Sequence, residues 1–256
     1  MKKLGWAVIM PILLAAGGCV QMSMETVVDK DGSGTCTLGI SMSTDVSEAL
    51  KELAATDGNP GMAEVPEFGD LTREKAEASA ARYNCKVKKF ERTTADEQEK
   101  LEMVLAFDDV QDLSRAVHDL MSEDESEDVM AVFKTDDGNY VLASVEDVSA
   151  VGEEKSTPEE SQEKETEEAK EMDPEQMQRS MELMGKLMAH MSEFDVRMAI
   201  TVPGEILESN APETEGQTAI WHINSENMMS MQDQEFEPEI KFSGQGVKIK
   251  AMPWEG

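Results

Sequence analysis

The chain has 256 residues, with 54 carboxylates against 23 cations, a formal charge of −31, and 5% aromatics beside 20 methionines. That balance excludes nucleic acid as a partner, because phosphate binding needs a basic footprint, and it makes an anionic lipid surface a poor electrostatic partner. So few aromatics demand an aliphatic, Met-rich core.

Residues 1–18 read as an export signal: Lys2 and Lys3, an apolar run from Leu4 to Ala16, then small residues at the break. The run is too short for a permanent membrane span. Gly17, Gly18 and Cys19 resemble a bacterial lipobox, with Ala16 where Leu or Val is commoner. Cleavage there leaves a diacylated Cys19 as the first mature residue and lipid anchor; an ordinary cleavage site is the alternative. Val20, not Asp, follows the anchor, which in a cell with two membranes points to the outer membrane, facing the periplasm.

Alternation at Met22, Met24, Thr26 and Val28, then at Cys36, Leu38, Ile40 and Met42, predicts two strands around Asp31, Gly32, Ser33 and Gly34. The turn resembles a calcium loop, but Ile40 stands where the bidentate Glu belongs, and the flanks have the period of strands. Asp45 and Glu48 form a capping-box pattern for a helix, and a second helix is expected over 71–83, past a Gly/Pro loop. A second strand pair runs from Cys85 to Arg92 and from Leu101 to Phe107. Asp109 caps a third helix. Val129 to Lys134 and Tyr140 to Ser144 flank a turn at Asp136, Asp137, Gly138 and Asn139.

With Cys19 acylated, Cys36 and Cys85 remain. In an oxidising compartment they form either a disulfide or two buried thiols. Residues 146–173 change composition, and 153–168 hold no apolar residue, so an acidic disordered insertion is expected: a solvated loop, a spacer, or a lure for cations or basic partners. Pro174 opens a helix to about Ser192, with Met177, Met181, Met184, Met188 and Met191 in one seam. The seam reads as core, as an adaptable groove lining an apolar ligand, or, least of all without nearby Cys or His-rich support, as a Cu(I) site. A regular strand from Phe194 to Val202, a bend at Pro203 and Gly204, and a strand ending in Trp221 follow. Short strands near 240–242 and 247–251 finish the sheet.

The expected fold is α+β: an antiparallel sheet of hairpins with helices on one face. Residues 19–145 and 174–256 form two parts of one domain around the 146–173 insertion. The lipobox, the first hairpin, the run from Phe107 to Leu113, and above all Ala199 to Pro212 with Thr218 to Trp221 downstream resemble the LppM-like family of bacterial envelope lipoproteins. There a Val-x-x-Pro-Gly-x-x-x-x-x-Asn pattern precedes a Thr-x-x-Trp strand. The resemblance spans most of 19–252 and is specific from Val196 to Trp221; the acidic insertion and the Met-rich helix depart from it. It implies an α+β envelope domain similar in fold to lipid-binding proteins, without enzymatic activity.

Catalytic patterns give no lead. His118, His190 and His222 are far apart in sequence, and the spacings of zinc hydrolases, serine hydrolases and phosphate loops are absent. The expectation is a membrane-anchored, non-catalytic module without a cofactor or metal that binds a lipid or another apolar ligand. The alternatives are a scaffold for another envelope protein and, behind that, a soft-metal binder or hydrolase.

Overall fold

The computed structural model describes residues 20–54, 71–121, 128–146, 178–179, 181–183, 185, 194–227 and 237–253. The chain forms β1 (Val20–Val28), β2 (Gly34–Ser43), α1 (Thr44–Ala54), α2 (Arg73–Arg82), β3 (Lys86–Ala95), β4 (Gln98–Phe107), α3 (Val110–Met121), β5 (Asp128–Lys134) and β6 (Tyr140–Glu146). After these come β7 (Phe194–Thr201), β8 (Ile206–Ser209), β9 (Glu213–Glu215), β10 (Thr218–Asn224), β11 (Glu239–Phe242) and β12 (Met252–Pro253).

The turns follow from their residues. Gly32 adopts φ +95°, its N–H donates to the Asp29 carbonyl at 3.0 Å, and Asp31 accepts from both the amide and the hydroxyl of Ser33. This is a hairpin, and the Asp31 carboxylate is committed to the turn itself. Gly138, at φ +83°, plays the same part between β5 and β6. The β3–β4 connection is tighter than expected: both strands run on to the pair Asp96 and Glu97, each at positive φ, because Thr93 and Thr94 continue the strand. Helix starts are capped by side chains: Asp109 accepts from the Gln111 amide, as expected, and Thr72 from that of Lys75. At α1 the cap is the Ser43 hydroxyl, accepting from Val46, and not Asp45, because the helix begins at Thr44.

The expected single sheet is two. Seven strands lie in the order β3-β4-β2-β1-β7-β10-β9, antiparallel except where β1 pairs in parallel with β7. Five more lie in the order β12-β5-β6-β11-β8. The reason is burial on both faces: Val129, Ala131 and Phe133 are buried on one side of β5, and Val132 is buried on the other. Such strands belong between layers, not in a half-solvated sheet. Val132, Leu142, Ile240 and Phe242 meet Leu38, Met103, Leu105, Met198, Ile200 and Trp221 in one core. Helices α1, α2 and α3 pack on the core side of the first sheet; the buried Ser79 hydroxyl of α2 donates to the Ala116 carbonyl of α3 at 3.1 Å.

The chain changes sheets at Pro203 and Gly204. A Cβ on Gly204 would meet the Ser243 carbonyl at 2.1 Å, so only glycine fits the crossing. Asn210 then clamps β11, its side chain accepting from the Glu239 amide and donating to the Glu237 carbonyl. The Pro-Gly…Asn pattern is thus a device for joining the sheets.

Cys36 and Cys85 are both buried and both free, so the bridge is not made. Strand β4 separates β2, which carries Cys36, from β3, which Cys85 precedes. Two strand spacings are about 9.5 Å, beyond the roughly 7 Å that a disulfide can span between Cα atoms. Burial pushes both thiols up to about 11.

Candidate functional site

The first sheet has two ends of different character. Direct pairing places Met24, Met198 and Trp221 on one face, then Met22, Val196 and Ile223, then Val20 and Phe194. At the end carrying the β1–β2 turn this face is sealed: Val28, Ile200 and Trp221 are buried. Toward Val20 it opens, and Val20, Met22, Met24, Phe194, Val196 and Ile223 are only half-buried. Helix α1 covers the neighbouring strands: Ser47 donates to Glu99 at 3.2 Å, and Lys51 pairs with the same carboxylate at 3.6 Å. The result is an apolar strip across β1, β7 and β10, beginning one residue after Cys19.

Cys19 itself lies outside the described residues, as do Met177, Met184, Met188 and Met191. Met181 is helical and 64% exposed, while Leu183, two residues on and about 200° around the helix, is 3% exposed. Burial of the whole seam as core does not account for Met181. The guanidinium of Arg179 pairs with Glu52, tying this helical stretch to α1. No helix among the described residues is long and apolar enough to cross a membrane.

The opposite end holds a cleft of about 240 Å³ between the β1–β2 turn, the start of α3, Val132 and residues 249–252. Asp31, Asp108, Asp109 and Lys250 line it. Two of these carboxylates are already engaged, Asp31 with Ser33 and Asp109 with the Gln111 amide, and the Ser33 bonds hold Asp31 below its ordinary pKa. Among the described residues no three potential metal-ligating side chains converge. β1 spans nine residues, so the cleft lies about 26 Å from Val20 along the strand.

On the outer face His222 bonds Asp195 at 2.8 Å, and the paired Arg197 bonds Glu25 at 2.8 Å. All four are substantially exposed, which makes them a solvated ladder across β1, β7 and β10. Trp221 points the other way and is 4% exposed, closing the core. His118 is half-buried in the last turn of α3.

Of the expected site residues only Cys36, Cys85 and Met181 are among the described ones, and the apolar strip was absent from the expectation. Its signal was available: strand alternation reaches Val20, directly after Cys19, and Phe194, Val196 and Ile223 continue it on strands that pair with β1 or lie one strand beyond.

No protein-family model and no curated protein matches the chain. Among solved structures, the NMR structure of the folded domain of Mycobacterium tuberculosis LppM is similar, with a TM-score of 0.40 and 9% identity over 89% of this chain and 91% of that one. The likeness is a distant one of fold.

Proposed function

We propose that this protein is a lipid-anchored envelope protein, held at the membrane through Cys19, whose α+β domain is a non-catalytic binding module for a lipid or similar apolar ligand. The observation that supports this reading is the half-buried strip of Val20, Met22, Met24, Phe194, Val196 and Ile223, which starts where the anchor ends. With no spacer between Cys19 and β1, an acylated Cys19 brings the strip to the bilayer surface. An acyl chain can then leave the membrane and cover apolar side chains without crossing much water, avoiding the cost of about 0.8 kcal/mol that each methylene exposed to water would carry. In a cell with two membranes the anchor lies in the outer one.

The test is purification of the full-length protein from membranes, followed by intact-mass analysis and lipid extraction. The expected result is an acylated N-terminus at Cys19, release from membranes in Cys19→Ser, and about one further lipid per protein that is lost in Ile223→Glu at an unchanged melting temperature. A mature terminus elsewhere refutes the anchor. Absence of bound lipid in the wild type refutes the apolar-ligand reading and favours a scaffold for another envelope protein.

A further inference from the structure

Residues 73–92 oppose the rest of the chain: seven cations against three carboxylates give them a net charge of +4 within a total of −31. The fold gathers them on one edge. β3 ends the seven-stranded sheet, with an irregularity in register between Val87 and Lys89, and α2 lies against it. The guanidinium of Arg73 donates to the Phe90 carbonyl at 2.8 Å and sits 5.7 Å over the Phe90 ring. Some of these charges are neutralised locally: Lys89 by Glu91 and Glu102, Arg82 by Asp119 and Arg73 by Glu77. Lys75, Lys86 and Lys88 are exposed and make no ion pair among the described residues. An edge lysine also discourages strand addition, but that purpose does not require Lys75 on the neighbouring helix.

The complement lies in the same chain. Residues 153–168 carry eight glutamates and two lysines, with no apolar residue to bury elsewhere. They follow β6, which ends at Glu146. From β6 to the β3 edge the path crosses β5, α3 and α2, about 34 Å at ordinary strand and helix spacings. The 14 residues from Glu146 to Glu160 can extend to about 45 Å, so the segment reaches with slack. We infer that the α2–β3 edge is the docking surface for the chain's own residues 153–168, whose glutamates pair with Lys75, Lys86 and Lys88. Single exposed pairs are weak and salt-sensitive; tethering raises the local glutamate concentration and makes the set effective together.

Lysine acetylation followed by peptide mass spectrometry tests this on the full chain. At about 20 mM salt, Lys75, Lys86 and Lys88 should react several-fold more slowly in the wild type than in a variant lacking Glu153 to Lys170, and Lys250 should react equally in both. At about 1 M salt the difference should vanish. A second variant with Glu159, Glu160, Glu163 and Glu165 all changed to Gln keeps the chain length and should behave like the deletion. Carbodiimide cross-linking of mixed light and heavy isotope-labelled protein should join Lys86 or Lys88 to residues 153–168 of the same molecule. Equal reactivity of the three lysines in wild type and variants at low salt overturns the inference, as do cross-links found only between molecules.

Discussion

The free thiols give the most direct quantitative test of the fold. Cys36 is 1% exposed on β2 beside Thr26, and burial raises its pKa from 9.0 to about 11. At pH 8 that shift lowers the thiolate fraction from about one in ten to about one in a thousand, a hundredfold loss of reactivity from ionisation alone. Burial of the sulfur slows reaction further, because labelling must then wait for opening. Under native conditions Cys36 should resist maleimide for hours at concentrations that modify an exposed cysteine in minutes. In denaturant, without reductant, both Cys36 and Cys85 should label fully. The same shift has a consequence for stability. Between about pH 9 and 11 the unfolded chain releases the Cys36 proton while the folded chain keeps it, so stability falls as pH rises, by about 3 kcal/mol across the window. In Cys36→Ala that part of the alkaline loss should be absent. Failure of both residues to label in denaturant until reductant is added would refute the separation of these cysteines by β4; rapid native labelling of Cys36 would refute its burial.

Phe242 is fully buried and stacks on Tyr140 at 5.6 Å, so Phe242→Ala should cost about 3 to 5 kcal/mol. Because the two sheets share a core, far-ultraviolet dichroism and Trp221 fluorescence should still report one transition in that variant; two separated transitions would mean that the sheets fold independently. Gly34→Ala would place a Cβ 2.0 Å from the Val27 carbonyl and 2.5 Å from the Phe107 ring, so a loss of at least about 3 kcal/mol is expected in urea titration. The Thr135 hydroxyl and the Asn139 amides hold the Asp137 carboxyl down at about 2. Its stabilising effect on the turn is complete above the ordinary value of 3.8 and is lost as pH falls through 2. A carbon-13 NMR titration giving a midpoint near 4 would contradict that turn geometry.

Most of the local order was legible in the sequence, and layering was not. The strand expected over 247–251 is irregular, and only Met252 and Pro253 after it pair with β5. The hairpins at Gly32 and Gly138 could be read because a positive φ leaves glycine as its mark, and α3 could be read because Asp109 and the Val110, Leu113, Leu120 stripe agree. The second sheet could not. Val129 to Phe133 is apolar at successive positions, which periodicity reads only as buried, without saying against what. Nor does sequence say that β4, which follows β3, inserts between β3 and β2 and so keeps Cys36 from Cys85. The pattern of Pro203, Gly204 and Asn210 was conspicuous, but its purpose needed the close approach of Ser243 and the clamp on β11. The basic edge escaped notice because a total of −31 conceals a local excess of four positive charges. It emerges only once α2 and β3 are seen side by side.

The geometry separates the candidate surfaces along β1. If Cys19 fixes one end of that strand at the bilayer, the apolar strip lies in the membrane interface, while the cleft bearing Asp31, Asp108 and Asp109 stands about 26 Å away, beyond two Debye lengths at physiological salt. At that distance the carboxylates of the cleft would be screened from the bilayer, so the proposed lipid capture would rest on the strip. The basic α2–β3 edge runs along the side between these ends. Its cations could in principle draw the domain down onto anionic headgroups, and a segment of opposite charge docked on them removes that attraction. The anchor would then set the domain's orientation without competition from its own lysines, keeping the strip at the bilayer. That arrangement would reconcile a strongly acidic chain with a strand that starts at the residue after the proposed anchor, Cys19.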